Sequence, residues 1–312
     1  MVIRSNAWES AVQLKYHILD VFTEKRFGGN PLAIVLAADA LDAAQMQTIA
    51  REFNASETVF VMKSERPAHT AKIRIFTPKA ELPFAGHPTI GTAILLAGLR
   101  APDTSVEQDA LVVLEEAIGT VRVGVRLRPG AAAFAEFDGP KKPEDLGVLP
   151  VSEMLAAALS LIPNEIGFEN HVPSRFTAGL PYIFVPVRNL EAIGRANPVL
   201  SRWDGAFGAT GAVYAYCRET LHNTAHFHAR MFDPGHGIPE DPATGSAAAA
   251  FAGVVHRFDT LPDGTHKKII EQGFEMGRPS LIELSLHVTH GKLDTIRIGG
   301  HAVPVSEGVL TV

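Results

Sequence analysis

Arg74-Ile75-Phe76-Thr77-Pro78 is followed by Leu82-Pro83 and then by His87-Pro88-Thr89-Ile90-Gly91-Thr92-Ala93. Far along the chain, Arg230-Met231-Phe232-Asp233-Pro234 is followed by Ile238-Pro239 and then by Asp241-Pro242-Ala243-Thr244-Gly245-Ser246-Ala247. The pattern Arg-x-Phe-x-Pro, apolar-Pro, [His/Asp]-Pro-x-x-Gly-[Thr/Ser]-Ala thus occurs twice in one order, which marks an internal duplication. Each copy reads as strand, loop and helix: a short β-like run ends at a proline, and the loop then opens a helix. In the second copy Asp241 is expected as N-cap with Pro242 at the first helical position and a stop at Gly253; His87-Pro88 and Gly98 are expected to do the same in the first.

Both helices are apolar nearly all round, Ile94-Leu95-Leu96-Ala97 in one and Ala247 to Ala252 in the other. A helix of that kind is buried on every side. The expected architecture is therefore two homologous halves, each wrapping strands around one central helix, with the helix N-termini emerging at a cleft between them. A weaker echo, Phe53-Asn54-Ala55 leading into Thr58-Val59-Phe60-Val61 and Phe176-Thr177-Ala178 leading into Tyr182-Ile183-Phe184-Val185, suggests a further pair of equivalent strands. Pro129-Gly130 and Gly139-Pro140-Lys141-Lys142-Pro143 place the linker within Arg128 to Pro150. The first half is expected over 13–130, completed by a C-terminal strand at 301–312; the second covers 135–300, and 1–12 form a flexible tail.

The bulk properties narrow the function. The chain has 312 residues, 20% charged and 46% hydrophobic, with a net charge of −6, and its lysines and arginines are scattered. Nucleic acid is a poor partner for such a surface. No stretch approaches the roughly 18 uninterrupted apolar residues that span a bilayer, and the opening residues lack a signal-peptide pattern. With Cys217 as the sole cysteine, neither an intramolecular disulfide nor a cysteine zinc cluster can form, and a cytoplasmic setting fits best. Cys217 reads as a core strand thiol. His226 and His228 would share a strand face but lack a third ligand at a recognisable spacing, so no metal site is expected. No phosphate loop, nicotinamide fingerprint or nucleophile elbow occurs, so no cofactor is expected either.

Three side chains remain as candidates for chemistry. Glu57 follows the helical pattern of Leu41 to Phe53 and an Asn54 suited to a left-handed cap, at the start of the apolar run Val59 to Val61. It is either an ordinary solvated glutamate or an acid/base group at the edge of a site. The echo sets Leu180 or Pro181 opposite it, so the duplicated scaffold carries one carboxylate there. His87 and Asp241 match each other in the repeat and would face across the cleft, unless they serve only as a loop histidine and a cap. Gly86, Gly91, Gly245 and Ser246 lie beside helix N-termini, where free N–H groups and the dipole attract an anion such as a substrate carboxylate, or else the glycines merely permit close packing.

Together with Asp20-Val21-Phe22-Thr23, Gly28-Gly29-Asn30-Pro31-Leu32-Ala33, Ser56-Glu57-Thr58, Ala85-Gly86-His87-Pro88-Thr89, Asp241 to Ser246, Gln272-Gly273 and Glu275-Met276-Gly277-Arg278-Pro279-Ser280, the repeat resembles the PhzF-like family from about Leu14 to the C-terminus. The resemblance implies an α+β fold of the diaminopimelate-epimerase-like type with two pseudo-symmetric halves, and a homodimer. It implies an isomerase that moves a proton on a small carboxylated substrate by acid/base catalysis. Glu57, His87 and Asp241 would be the catalytic residues, and Gly86, Gly245 and Ser246 the substrate-binding ones. Relatives of this fold that racemise amino acids use two cysteines across the cleft, which this chain lacks. The alternative is a non-catalytic protein that keeps the cleft for a small carboxylate or engages a partner protein.

Overall fold

The structure is a computed structural model that describes residues 12–101, 105–209 and 211–312. In its first half the strands Gln13–Val21, Asn30–Val35, Glu57–Met62, Ala71–Phe76, Gln108–Glu116, Gly119–Leu127 and Ala133–Asp138 pair in chain order. The long final strand, Lys292–Thr311, closes the ring. It pairs with Ala133–Asp138 on one side and runs antiparallel to the first strand on the other, from Val21 opposite Ala302 to Gln13 opposite Thr311. Inside this barrel lies the first central helix, Gly86–Arg100, almost wholly buried except at its last turn. Ala133–Asp138 straddles the boundary expected at 130–135, yet it hydrogen-bonds to first-half strands on one side and to the shared final strand on the other. The tail expected over 1–12 falls on residues outside those described except for Val12, which exchanges backbone hydrogen bonds with Val312.

The second half repeats the order with Glu144–Val148, Ser174–Thr177, Pro181–Pro186, Val213–Cys217, Phe227–Asp233, Gly264–Gln272 and Ser280–Thr289, ending on the same final strand. These strands wrap the second central helix, Gly245–Phe258. Each half has a parallel strand pair bridged by its central helix, and a second one bridged by outer helices that pack outside the sheet. The outer helix of the first half is Ala43–Phe53, started by an Asp42–Gln45 capping box and ended by Asn54 in the left-handed conformation. Those of the second half, Leu190–Arg195 and Leu200–Phe207, bury Ile193 and Trp203.

The repeated Arg-x-Phe does the same work twice. Arg74 stacks over Phe76, 5.1 Å from its ring centroid, and forks onto Glu81 at 2.7 Å through both Nε and Nη2. Arg230 stacks over Phe232 at 4.9 Å and forks onto Glu240 at 2.8 Å. A planar guanidinium suits both tasks at once, and the pair ties each motif strand to the short strand that leads toward its helix.

Three equivalences expected from the sequence need correction. Phe76 lies opposite Thr58 and Phe232 opposite Val213, so the counterpart of strand Glu57–Met62 is Val213–Cys217. Pro181–Pro186 corresponds to Asn30–Val35, its parallel neighbour, with Ile183 opposite Val213 where Ala33 is opposite Thr58. Short apolar strands look alike, and only the ladder separates them. The residue matching Glu57 is accordingly Ala212, although the inference of one carboxylate rather than two is unaffected. Neither central helix stops at its expected glycine: they run to Arg100 and Phe258. Gly253 is needed for packing, because a Cβ there would stand 2.5 Å from the Phe176 ring.

Candidate active site

The two central helices meet at their N-termini, glycine against glycine. A Cβ on Gly86 would lie 3.0 Å from Gly245 Cα, and one on Gly245 would lie 3.2 Å from Gly86 Cα. Neither helix has a side-chain cap. The first helical hydrogen bonds start at Thr89 N–H to Ala85 and Ala248 N–H to Thr244, so the amides before them lack helical partners. Two positive dipole ends therefore converge on one point.

This geometry corrects the third equivalence. His87 stands in the first turn of its helix, one residue past Gly86, whereas Asp241 ends the strand Ile238–Asp241, before a helix that starts only at Gly245. The structural match of His87 is Ser246, and Asp241 is not an N-cap. The similar five-residue patterns sit in different registers to their helices. At the meeting helix ends Gly86 and Gly245 are buried, while Glu57 and Ser246 keep partial exposure.

Even so, the six expected residues come together. Glu57, the first residue of its strand, puts Oε2 3.3 Å from His87 Nε2. Both atoms are buried and find no hydrogen-bond partner of good geometry among the described residues. Burial pushes the His87 imidazole down to about 3, so it is neutral. It pushes the Glu57 carboxyl well above the usual range, and the nearby Asp241 charge adds to that rise. Asp241 is also raised by burial but is opposed by three donors, Thr244 Oγ1, Asn30 Nδ2 at 2.9 Å and Ser56 Oγ at 3.4 Å. Three donors favour the ionised form of Asp241 while Glu57 Oε2 has none, so of the two acids Glu57 has the higher proton affinity.

A second layer holds Asp241. Gln272 Nε2 donates to the Asp241 carbonyl at 2.7 Å, and its Oε1 accepts from Thr244 N–H and Tyr214 Oη, both at 3.2 Å. Asn30 Nδ2 also reaches the Ala243 carbonyl at 3.0 Å. Asp20 fixes the entering loops by accepting from Phe27 N–H at 2.6 Å and pairing with Arg278, whose Nε donates to the Gly29 carbonyl at 2.9 Å. On the other wall Tyr182 Oη lies 2.7 Å from Ser246 Oγ. Asn30 and Gln272 were visible as motif letters without a role, and Tyr182 only as a strand residue. Cys217 sits in the core, its thiol pushed up to about 12 by burial. Among the described residues no three His, Cys, Asp or Glu side chains gather as metal ligands, and no helix is long and apolar enough to cross a membrane.

Comparison with known proteins agrees with this architecture. The family model described as phenazine biosynthesis-like protein matches residues 19–308. An uncharacterized isomerase of Mesorhizobium japonicum is 51% identical over 95% of this chain and 98% of its own length. Trans-2,3-dihydro-3-hydroxyanthranilate isomerase of Pseudomonas chlororaphis is 33% identical over 95% of this chain and 99% of its own. The crystal structure of a PhzF-family phenazine biosynthesis protein from Bacillus anthracis superposes with a TM-score of 0.84 at 27% identity, covering 96% of this chain and 100% of that one.

Proposed function

This chain belongs to the phenazine biosynthesis-like protein family, and from that premise we propose an isomerase in which Glu57 takes a proton from one carbon of a small carboxylated substrate and returns it to another. One C–H bond breaks and one forms, with no net change of oxidation state, so the reaction needs an acid/base group and a place for transient negative charge. Glu57 is the acid/base group. The convergent N-termini at Gly86 and Gly245 hold the substrate carboxylate and stabilise charge that develops toward it, and the Ser246 hydroxyl helps hold that carboxylate equally in ground and transition states. His87, neutral and 3.3 Å from the carboxyl, assists the transfer, while Asp241 keeps the proton affinity of Glu57 high by its own charge. The chain supplies its own base, and the chemistry as drawn requires no cofactor or metal.

The observation that carries this reading is a carboxyl with a buried, unpartnered oxygen, raised in proton affinity and 3.3 Å from His87 in the first turn of one of the two uncapped helices that meet here. A base with that affinity is both strong when ionised and able to give the proton back. The test uses Glu57→Gln in heavy water, first with trans-2,3-dihydro-3-hydroxyanthranilate and then with a metabolite extract. The unaltered protein should put deuterium on a substrate carbon, and the variant should fold but exchange on the order of 10² to 10⁴ more slowly. Exchange by Glu57→Gln at the unaltered rate would remove Glu57 from the chemistry.

A further inference from the structure

Tyr182 points its hydroxyl into this site from the strand Pro181–Pro186, and only 5% of the residue is exposed. Its partner is Ser246 Oγ at 2.7 Å. A phenol and an alcohol each carry one proton and can each accept, so the bond has two polarities. Burial raises the tyrosine, and the charges of Asp241, Asp233 and Glu57 raise it further, which keeps its proton in place. A buried O–H that does not donate costs free energy. The arrangement that avoids this cost has Tyr182 donating to Ser246 Oγ, which leaves the serine proton free. Ser246 is partly exposed and lies in the first turn of the second central helix, beside the amides that face the site.

The duplication sharpens the point. In the first half the residue equivalent to Tyr182 is Leu32, fully buried, because Ala33 faces Thr58 as Ile183 faces Val213. The residue equivalent to Ser246 is His87, which faces Glu57 instead. A hydroxyl stands at this strand position only in the half whose helix has a hydroxyl, Ser246 rather than His87, at the matching position.

We propose that Tyr182 is a positioning residue that accepts nothing from Ser246, donates to it, and thereby fixes the Ser246 hydroxyl as a donor to the substrate carboxylate. The proposal rests on the carboxylate site described under the proposed function. Its probe is anthranilate, the flat carboxylate contained in the relatives' substrate name, compared with the neutral anthranilamide.

In calorimetric titrations, Tyr182→Phe should weaken anthranilate binding about tenfold, the scale of one hydrogen bond to a charged group, and change anthranilamide binding less than about threefold. Deuterium exchange at saturating substrate should stay within about threefold of the unaltered protein, so that KM moves and kcat does not. Ser246→Ala should match the loss, and the double variant should be no weaker than Ser246→Ala within about twofold, because the tyrosine acts through the serine. If Ser246→Ala weakens anthranilate and Tyr182→Phe does not, or if the two losses add, the inference about Tyr182 is wrong and the carboxylate site stands. If Ser246→Ala leaves anthranilate affinity unchanged, or the unaltered protein does not bind anthranilate, both the site and the inference fall.

Discussion

Replacing Gly86 by alanine should force the two central helices apart where they meet. The new Cβ would stand 3.0 Å from Gly245 Cα, 3.2 Å from its carbonyl carbon and 3.5 Å from Ser246 N, all backbone atoms that cannot swing aside. Ordinary contact begins near 3.4 Å, so the gap must open by about 0.4 Å at the closest pair, 3.4 − 3.0. Alanine suits a helix better than glycine by roughly 0.5–1 kcal/mol, but overpacking of this kind costs about 1–3 kcal/mol, and the steric cost wins. Because the carboxylate site is built from these same helix ends, proton transfer should drop on the order of ten- to a hundredfold. Gly98→Ala is the control within the same helix: nothing lies within 4 Å of its Cβ, and it should stabilise by roughly 0.5–1 kcal/mol with turnover unchanged. Urea denaturation and deuterium exchange measure both variants. Gly86→Ala with unaltered stability and exchange would show that the close approach of the helix ends does not matter.

Two further outcomes follow from buried charge. Glu116 is pushed up to about 8 by burial despite a 2.8 Å hydrogen bond from Thr89 Oγ1, so the folded chain binds its proton more tightly than the unfolded chain does. That contribution is complete below the unfolded carboxylate pKa of about 4.3 and is lost as pH rises through 8, so stability from this group should fall between pH 5 and pH 9 by on the order of a few kcal/mol. Glu116→Gln should flatten the fall in urea midpoints, and a variant as pH-dependent as the unaltered protein would count against it. His228 is opposed by burial, but hydrogen bonds to Glu271 at 2.7 Å and Glu275 at 2.9 Å outweigh it and raise the imidazole to about 9. Its stabilisation is complete below about 6.5 and disappears as pH rises through 9. At pH 7, His228→Gln should cost about 3 kcal/mol by leaving Glu271 short of a cation, and adding Glu271→Gln should recover part of that. A double variant less stable than the single would reject the account.

What the sequence made legible was local. Arg-x-Phe-x-Pro, the apolar helices and the Asn54 turn before Glu57 are each written in a few neighbouring letters, and the structure places them as strand, buried helix and left-handed cap. The register between the copies was not local. His87-Pro-x-x-Gly and Asp241-Pro-x-x-Gly match as strings, but one lies inside its helix and the other ends before it, a difference set by where the chain enters each barrel. The supports of the site were also out of reach. Asn30 and Asp241 are 211 residues apart, and Arg278 and Asp20 are 258 apart, so no spacing rule connects them.

In the proposed mechanism it is the differences between the halves, rather than the repeat, that make this site usable for proton transfer. Symmetric duplication brings two helix N-termini to one point, and like dipole ends repel unless an anion lies between them. That suits the proposed carboxylate site but supplies no chemistry. At the strand start beside the site one half has Glu57 and the other Ala212; in the first helical turn one has His87 and the other Ser246. A second glutamate in place of Ala212 would set another acid against the helix ends, and two buried like charges would compete for one proton. Asp241 escapes that conflict because Asn30, Ser56 and Thr244 all donate to it, so it can stay ionised and lift Glu57. The donors given to Asp241 and withheld from Glu57 Oε2 set the two acids apart, with Glu57 the one of higher proton affinity.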